Sequence, residues 1–139
     1  MHPARCLLVF FAVLGGCAST PEPQPTASLV GMWTFQKRSV VVWTGGTSTT
    51  QPDWHPAGYY TTTYNSDGTF VSVTSPMTGS FTAQGTYAHV GNTLTTRGMG
   101  PNAPVGTERI VKLTEHDLVT ERESTSGGIR EVMTNELRR

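Results

Sequence analysis

Apolar and polar side chains alternate along most of this chain with a period of two, which is the period of a pleated strand and not of a helix. The cleanest case is the segment in which Phe81, Ala83, Gly85 and Tyr87 share one face while Thr82, Gln84 and Thr86 share the other. The same rhythm predicts strands over residues 30–43, 59–64, 69–75, 81–90, 93–97, 109–113, 118–123 and 129–137. Threonine, valine and aromatic residues dominate these stretches, as a half-buried pleated surface requires. Between them stand Asn65-Ser66-Asp67-Gly68, Gly91-Asn92, Thr114-Glu115-His116-Asp117 and Thr125-Ser126-Gly127-Gly128. Glycine, asparagine and aspartate in these positions supply the backbone angles of tight hairpins. No stretch carries a helical apolar period. The expectation is an all-β, antiparallel, up-and-down barrel of about eight strands, since closure removes both exposed sheet edges. A two-sheet sandwich is the alternative.

The pattern is different before Ser28. Arg5 precedes the apolar run from Cys6 to Cys17, which is about half as long as the roughly 20 residues that a membrane-spanning helix needs. A basic start, a short apolar stretch and small residues before a cysteine read as a cleaved export signal over residues 1–16. Residues 17–28 carry three prolines and no large apolar side chain, the composition of an extended tether. The folded domain is expected over residues 29–139.

Leu14-Gly15-Gly16-Cys17 resembles the lipobox of bacterial lipoproteins. That resemblance implies that Cys17 receives lipid, palmitate among its acyl chains, becomes the first mature residue and anchors the protein in a membrane. Ala18 after the lipid site resembles the pattern routed to the periplasmic face of the outer membrane in Gram-negative cells.

The composition narrows the partners. Ten basic residues balance ten acidic ones, so no basic stripe for nucleic acid is expected. Both cysteines fall in the leader and the lipidation site. No disulfide is available to the domain, and its stability must come from packing and backbone pairing.

Gly31-Met32-Trp33 places Gly-x-Trp at the opening of the first predicted strand. Gly31 allows a backbone bend there, and Trp33 offers a large flat plug for one end of a tapering interior. Together with YNSDGTF from Tyr64, GTYAHVGNTLT from Gly85 and RIVKLTEHDLV from Arg109, this order of motifs resembles the lipocalin-like domain of small bacterial lipoproteins. The resemblance implies a late-strand arginine packed across Trp33. Arg130 and Arg138 are both candidates, and Arg138 is favoured because it stands nearer the terminus.

Candidate chemistry is sparse. Gly45-Gly46-Thr47-Ser48-Thr49-Thr50 lacks the lysine and the following helix of a phosphate-binding loop and reads as a flexible connection. No serine stands in a nucleophile elbow, and His55, His89 and His116 are scattered singly. No catalytic residue, metal site or cofactor is expected, and a non-enzymatic protein is. Asp53-Trp54-His55 is a minority metal reading. The acidic and basic residues interleaved on the last two strands read as a solvated exterior.

The aromatics carry more. Trp33, Phe35, Tyr60, Phe70, Phe81 and Tyr87 fit one inward face, joined by Trp43 if the long first strand stays regular. They are the cavity-lining candidates, although the same residues would fill a small barrel completely. Lys37 shares the parity of Phe35, and an inward lysine would suit an acidic ligand head group; a bulge or the barrel mouth would put it in water instead. The functional expectation is binding or sequestration of a small apolar or amphipathic molecule in the barrel. The alternative is an envelope scaffold or inhibitor that meets another protein through its outer surface and its loops at residues 44–56 and 98–106.

Overall fold

The structure is a computed structural model that describes residues 27–75 and 79–139. The expected export signal, Cys17 and all but the last two residues of the expected tether lie outside the described residues.

Nine strands follow one another: β1 (Gly31–Thr44), β2 (Thr47–Gln51), β3 (Tyr60–Tyr64), β4 (Thr69–Thr74), β5 (Phe81–Val90), β6 (Thr93–Gly98), β7 (Val105–Leu113), β8 (Asp117–Ser126) and β9 (Ile129–Arg138). Every pairing is antiparallel. From β3 to β9 each strand pairs with the next, and β9 returns to β1, which also pairs with β3. Eight strands therefore close an up-and-down barrel, and β2 is added outside the ring on β1.

Two sequence expectations change here. Residues 47–50 are not a flexible connection: Gly45 and Gly46, at φ 58° and 84°, make a two-residue hairpin that folds β2 back along Val40–Thr44. Two successive positive φ values define the tight turn that a right-twisted ribbon accepts, and glycine adopts them without steric cost. The connection at residues 98–106 is also shorter than expected, because β7 begins at Val105.

The barrel has a closed end and an open one. At the closed end Leu29, Trp33, Tyr64, Leu94, Ile110, Leu118 and Leu137 form the buried core. Trp33 and Phe35 have no exposed surface. The connections at residues 45–46, 52–59, 99–104 and 127–128 follow upward strands or precede downward ones, so they gather at the open end.

The wall does not close evenly toward that end. β1 meets β3 only over Gly31–Thr34, and its second half leaves with β2 and β9. On the other side β7 and β8 part above the pair Arg109–Glu121. The sheet β8-β9-β1-β2 thus flares away from the remaining strands.

Candidate functional site

The site is built by one extra residue. β1 and β9 are in register from Thr34 to Phe35 and again from Lys37 onward, with Gln36 bulged between. A bulge of one residue reverses which side chains face inward beyond it. Lys37 is consequently exposed on the outside, opposite Glu136, which corrects the expectation of an inward lysine. Arg38 turns inward in its place. Its Nε donates to Asn135 Oδ1 at 2.9 Å, and its guanidinium carbon lies 5.8 Å from the Phe35 ring centroid.

The gap between β1 and β3 is filled by the connection at residues 52–59. Gly58 N–H donates to the Phe35 carbonyl at 2.7 Å, and Arg38 N–H donates to Asp53 Oδ2 at 2.9 Å. Asp53 Oδ1 accepts the His55 backbone N–H and meets His55 Nδ1 at 2.8 Å. Trp54 stacks on the His55 ring at 3.6 Å, and Tyr59 meets its edge at 4.3 Å. Burial raises the Asp53 carboxyl, but the hydrogen bonds from His55 and from Arg38 N–H outweigh it and hold the group below its usual value. Asp53 and His55 are partners to each other, and no cluster of three or more metal-ligating side chains occurs among the described residues.

Inside the wall lies a cavity of about 170 Å³. Tyr60, Tyr64 and Phe70 line one side; Thr62, Ser72, Thr96 and Thr120 add a layer of hydroxyls; Glu108 contributes the one charge. Thr62 Oγ1 donates to Ser72 Oγ at 3.0 Å. Burial pushes the Tyr60 phenol up to about 12 against the opposing pull of Arg38. Burial, reinforced by the Glu108 charge, also raises Tyr64. Both phenols are therefore neutral near pH 7.

The remaining sequence candidates separate by depth. Of the aromatic set, Tyr60 and Phe70 line the cavity, while Trp33 and Phe35, on β1 next to Thr62 and Tyr60, are fully buried and not part of its wall. Tyr87 belongs to the closed end, where its hydroxyl donates to the Asn65 carbonyl at 2.8 Å and its ring meets Tyr64 at 4.9 Å. Phe81 is 67% exposed at the start of β5, so it is a rim residue and not a cavity wall. Its parity is inward, but it stands beyond the level at which the interior is enclosed. Trp43 lies under Arg130, 4.7 Å from its ring centroid, and borders an outer groove of about 510 Å³ where β7 and β8 part.

The arginine across Trp33 is Arg139, with its guanidinium carbon 4.5 Å from the ring centroid. Arg138, favoured from sequence, points outward to Asp117 at 3.2 Å. Period-two alternation explains the correction: Leu137 faces in, Arg138 faces out, and Arg139 faces in once more, beyond the end of β9. Gly31 leaves room for it. At φ 134° a Cβ on Gly31 would stand 3.0 Å from Arg139 Nη1, and that guanidinium also donates to the Val30 carbonyl at 2.9 Å.

Tyr64, Glu108, Arg38 and Asn135 are among the site residues that sequence reasoning missed. Glu108 shares the parity of Ile110 but falls just outside the predicted strand, which begins at Arg109 whereas β7 begins at Val105. Asn135 shares the parity of Leu137. Arg38 was hidden by the bulge, for which no local signal exists.

The fold and site define a small up-and-down antiparallel barrel with a packed closed end, a narrow inner cavity and one appended strand. No family model matches the chain, and no curated protein matches it. Among solved structures the chain is similar to an uncharacterized protein from Bacteroides eggerthii, at 11% identity over 77% of this chain and 98% of that one, with a TM-score of 0.48. It is also similar to a lipocalin-like protein from Bacteroides uniformis, at 16% identity over 76% and 96% of the two chains, with a TM-score of 0.45. At these values no function is carried across.

Proposed function

We propose that this chain is an exported, non-enzymatic lipoprotein, held on the cell envelope by lipid at Cys17, whose barrel binds a small amphipathic molecule. In a Gram-negative host the anchor would lie on the periplasmic face of the outer membrane. One observation carries the binding part: the barrel is packed at its closed end yet keeps a cavity of about 170 Å³ in whose wall three aromatic residues are interleaved with hydroxyl side chains. Apolar walls with a few convergent polar groups are the usual make-up of a small-molecule site. The volume is below the roughly 300 Å³ at which drug-sized pockets begin, so the ligand is small and a long acyl chain is not the occupant.

A second reading, a scaffold or inhibitor that meets another protein, is favoured by the open end. Trp54, Phe81, Met99, Val105 and Ile129 are all exposed there. Several large apolar residues gathered at one end of a small domain are a recognised mark of an interaction surface.

Native mass spectrometry of the full chain purified from its own host's envelope separates the two. A retained small molecule supports ligand binding, and a retained protein with an empty barrel supports the scaffold. The anchor has its own test: Cys17→Ala is expected to release the protein from the membrane fraction, and continued membrane fractionation overturns the lipoprotein reading.

A further inference from the structure

Glu108 is the one charged side chain in the wall of the inner cavity. It stands on β7 beside Leu94 of β6, in the inward-facing set with Ile110. Among the described residues no hydrogen bond or ion pair reaches its carboxylate. The cations nearest in the fold are otherwise placed: Arg38 is bound to Asn135 and acts on the Tyr60 phenol, Arg109 pairs outward with Glu121, and Arg122, which shares the inward parity of Thr120 across from Glu108, is exposed beyond the last β7–β8 pair and forms no ion pair with it. Glu108 also borders the outer groove where β7 and β8 part.

A carboxylate held in an aromatic, hydroxyl-lined cavity without a counter-ion is a poor neighbour for an anion and an incomplete one for a neutral molecule. For an ammonium head it offers opposite charge in a partly desolvated site, where such contacts are stronger than in water. The rings of Tyr60 and Tyr64 add the negative faces that attract cations. We propose that the cavity takes a small organic ammonium ion, an amine on a short apolar body, with Glu108 as its counter-ion and the two tyrosine rings beside its head. This rests on the ligand-binding reading above and names its ligand class.

Isothermal titration of the full chain with 2-phenylethylammonium, 2-phenylethanol and 3-phenylpropanoate tests it, since the three share one apolar body and differ in charge. The ammonium is expected to bind roughly tenfold or more tighter than either of the others, as a charge-assisted contact allows. Glu108→Gln should bring it to the level of the alcohol. An unchanged urea unfolding midpoint in that variant shows that the fold is intact, and Glu108→Asp should restore part of the difference. Equal binding of ammonium and alcohol by the unmodified protein, or no loss in Glu108→Gln, overturns the proposal and leaves an apolar ligand site standing. Preference for the propanoate overturns it in favour of recognition by Arg38. If no probe binds, the ammonium class is wrong, whereas the broader ligand-binding reading fails only if the host-purified barrel is also empty.

Discussion

Trp33 is held from three directions. Its Nε1 donates to the Leu29 carbonyl at 2.8 Å, the Arg139 guanidinium covers its ring, and the leucines of the closed end surround it. Trp33→Ala is expected to cost about 3–5 kcal/mol, the range for a large buried aromatic, read from urea unfolding. A loss under about 0.5 kcal/mol, the scale of a surface change, would show that the ring is not core. Arg139→Ala should cost about 0.5–1 kcal/mol, as an exposed cation–π contact does, and Arg138→Ala measurably less. The reverse order would return the role to Arg138. At this scale the plug itself was legible, because a tryptophan beside a glycine at a strand opening has one economical use. Which arginine covers it was not, because that depends on whether the alternation continues past the last paired residue.

The connection at residues 52–59 behaves as an element although it has no regular structure. Asp53 ties it to β1 through Arg38 N–H and to itself through His55, replacing the strand pairing that β1 loses when it leaves β3. Because the Asp53 carboxyl is held below the unfolded aspartate value of about 3.9, its contribution is fully present above that pH and is lost as pH falls through the lower folded value. Acid should therefore destabilise the protein progressively from about pH 4 downward. Asp53→Asn, with one acceptor oxygen in place of two, should flatten part of that slope, measured as the urea midpoint between pH 2 and 6. Equal slopes in the two proteins would show that the tie is not formed in solution. Asp67, Asp117 and Glu123 are also held low by their hydrogen bonds, so the slope shrinks without vanishing. β2 shows the other limit of the sequence at this scale. Thr-Ser-Thr-Thr-Gln is exposed on both faces, so it carries no alternation, and only the Gly45-Gly46 hairpin reveals it as a strand.

For the whole molecule, the flare of β8-β9-β1-β2 divides the wall into a tight half and a loose one. Leu118–Glu121 of β8 is paired on both sides, while Arg122–Ser126 is paired only with β9. Amide hydrogen exchange should follow this division, with strong protection over Leu118–Thr120 and weak protection over Arg122–Ser126 and β2, because amides open where ladder and packing are one-sided. Uniform protection along β8 would mean that the parting closes in solution. The same parting leaves Glu108 bordering both the outer groove and the inner cavity.

Strand type, antiparallel order and closure into a barrel came from the sequence alone, since period-two alternation and glycine turns are local properties and an unclosed ribbon would leave two bare edges. The tertiary structure decided what faces the interior beyond residue 35. The Gln36 bulge, an offset between two strands about a hundred residues apart, exchanged Lys37 for Arg38. The reach of β7 back to Val105 brought in Glu108. Alternation says which residues share a face; only the pairing of distant strands says which face is inside and where the count is reset.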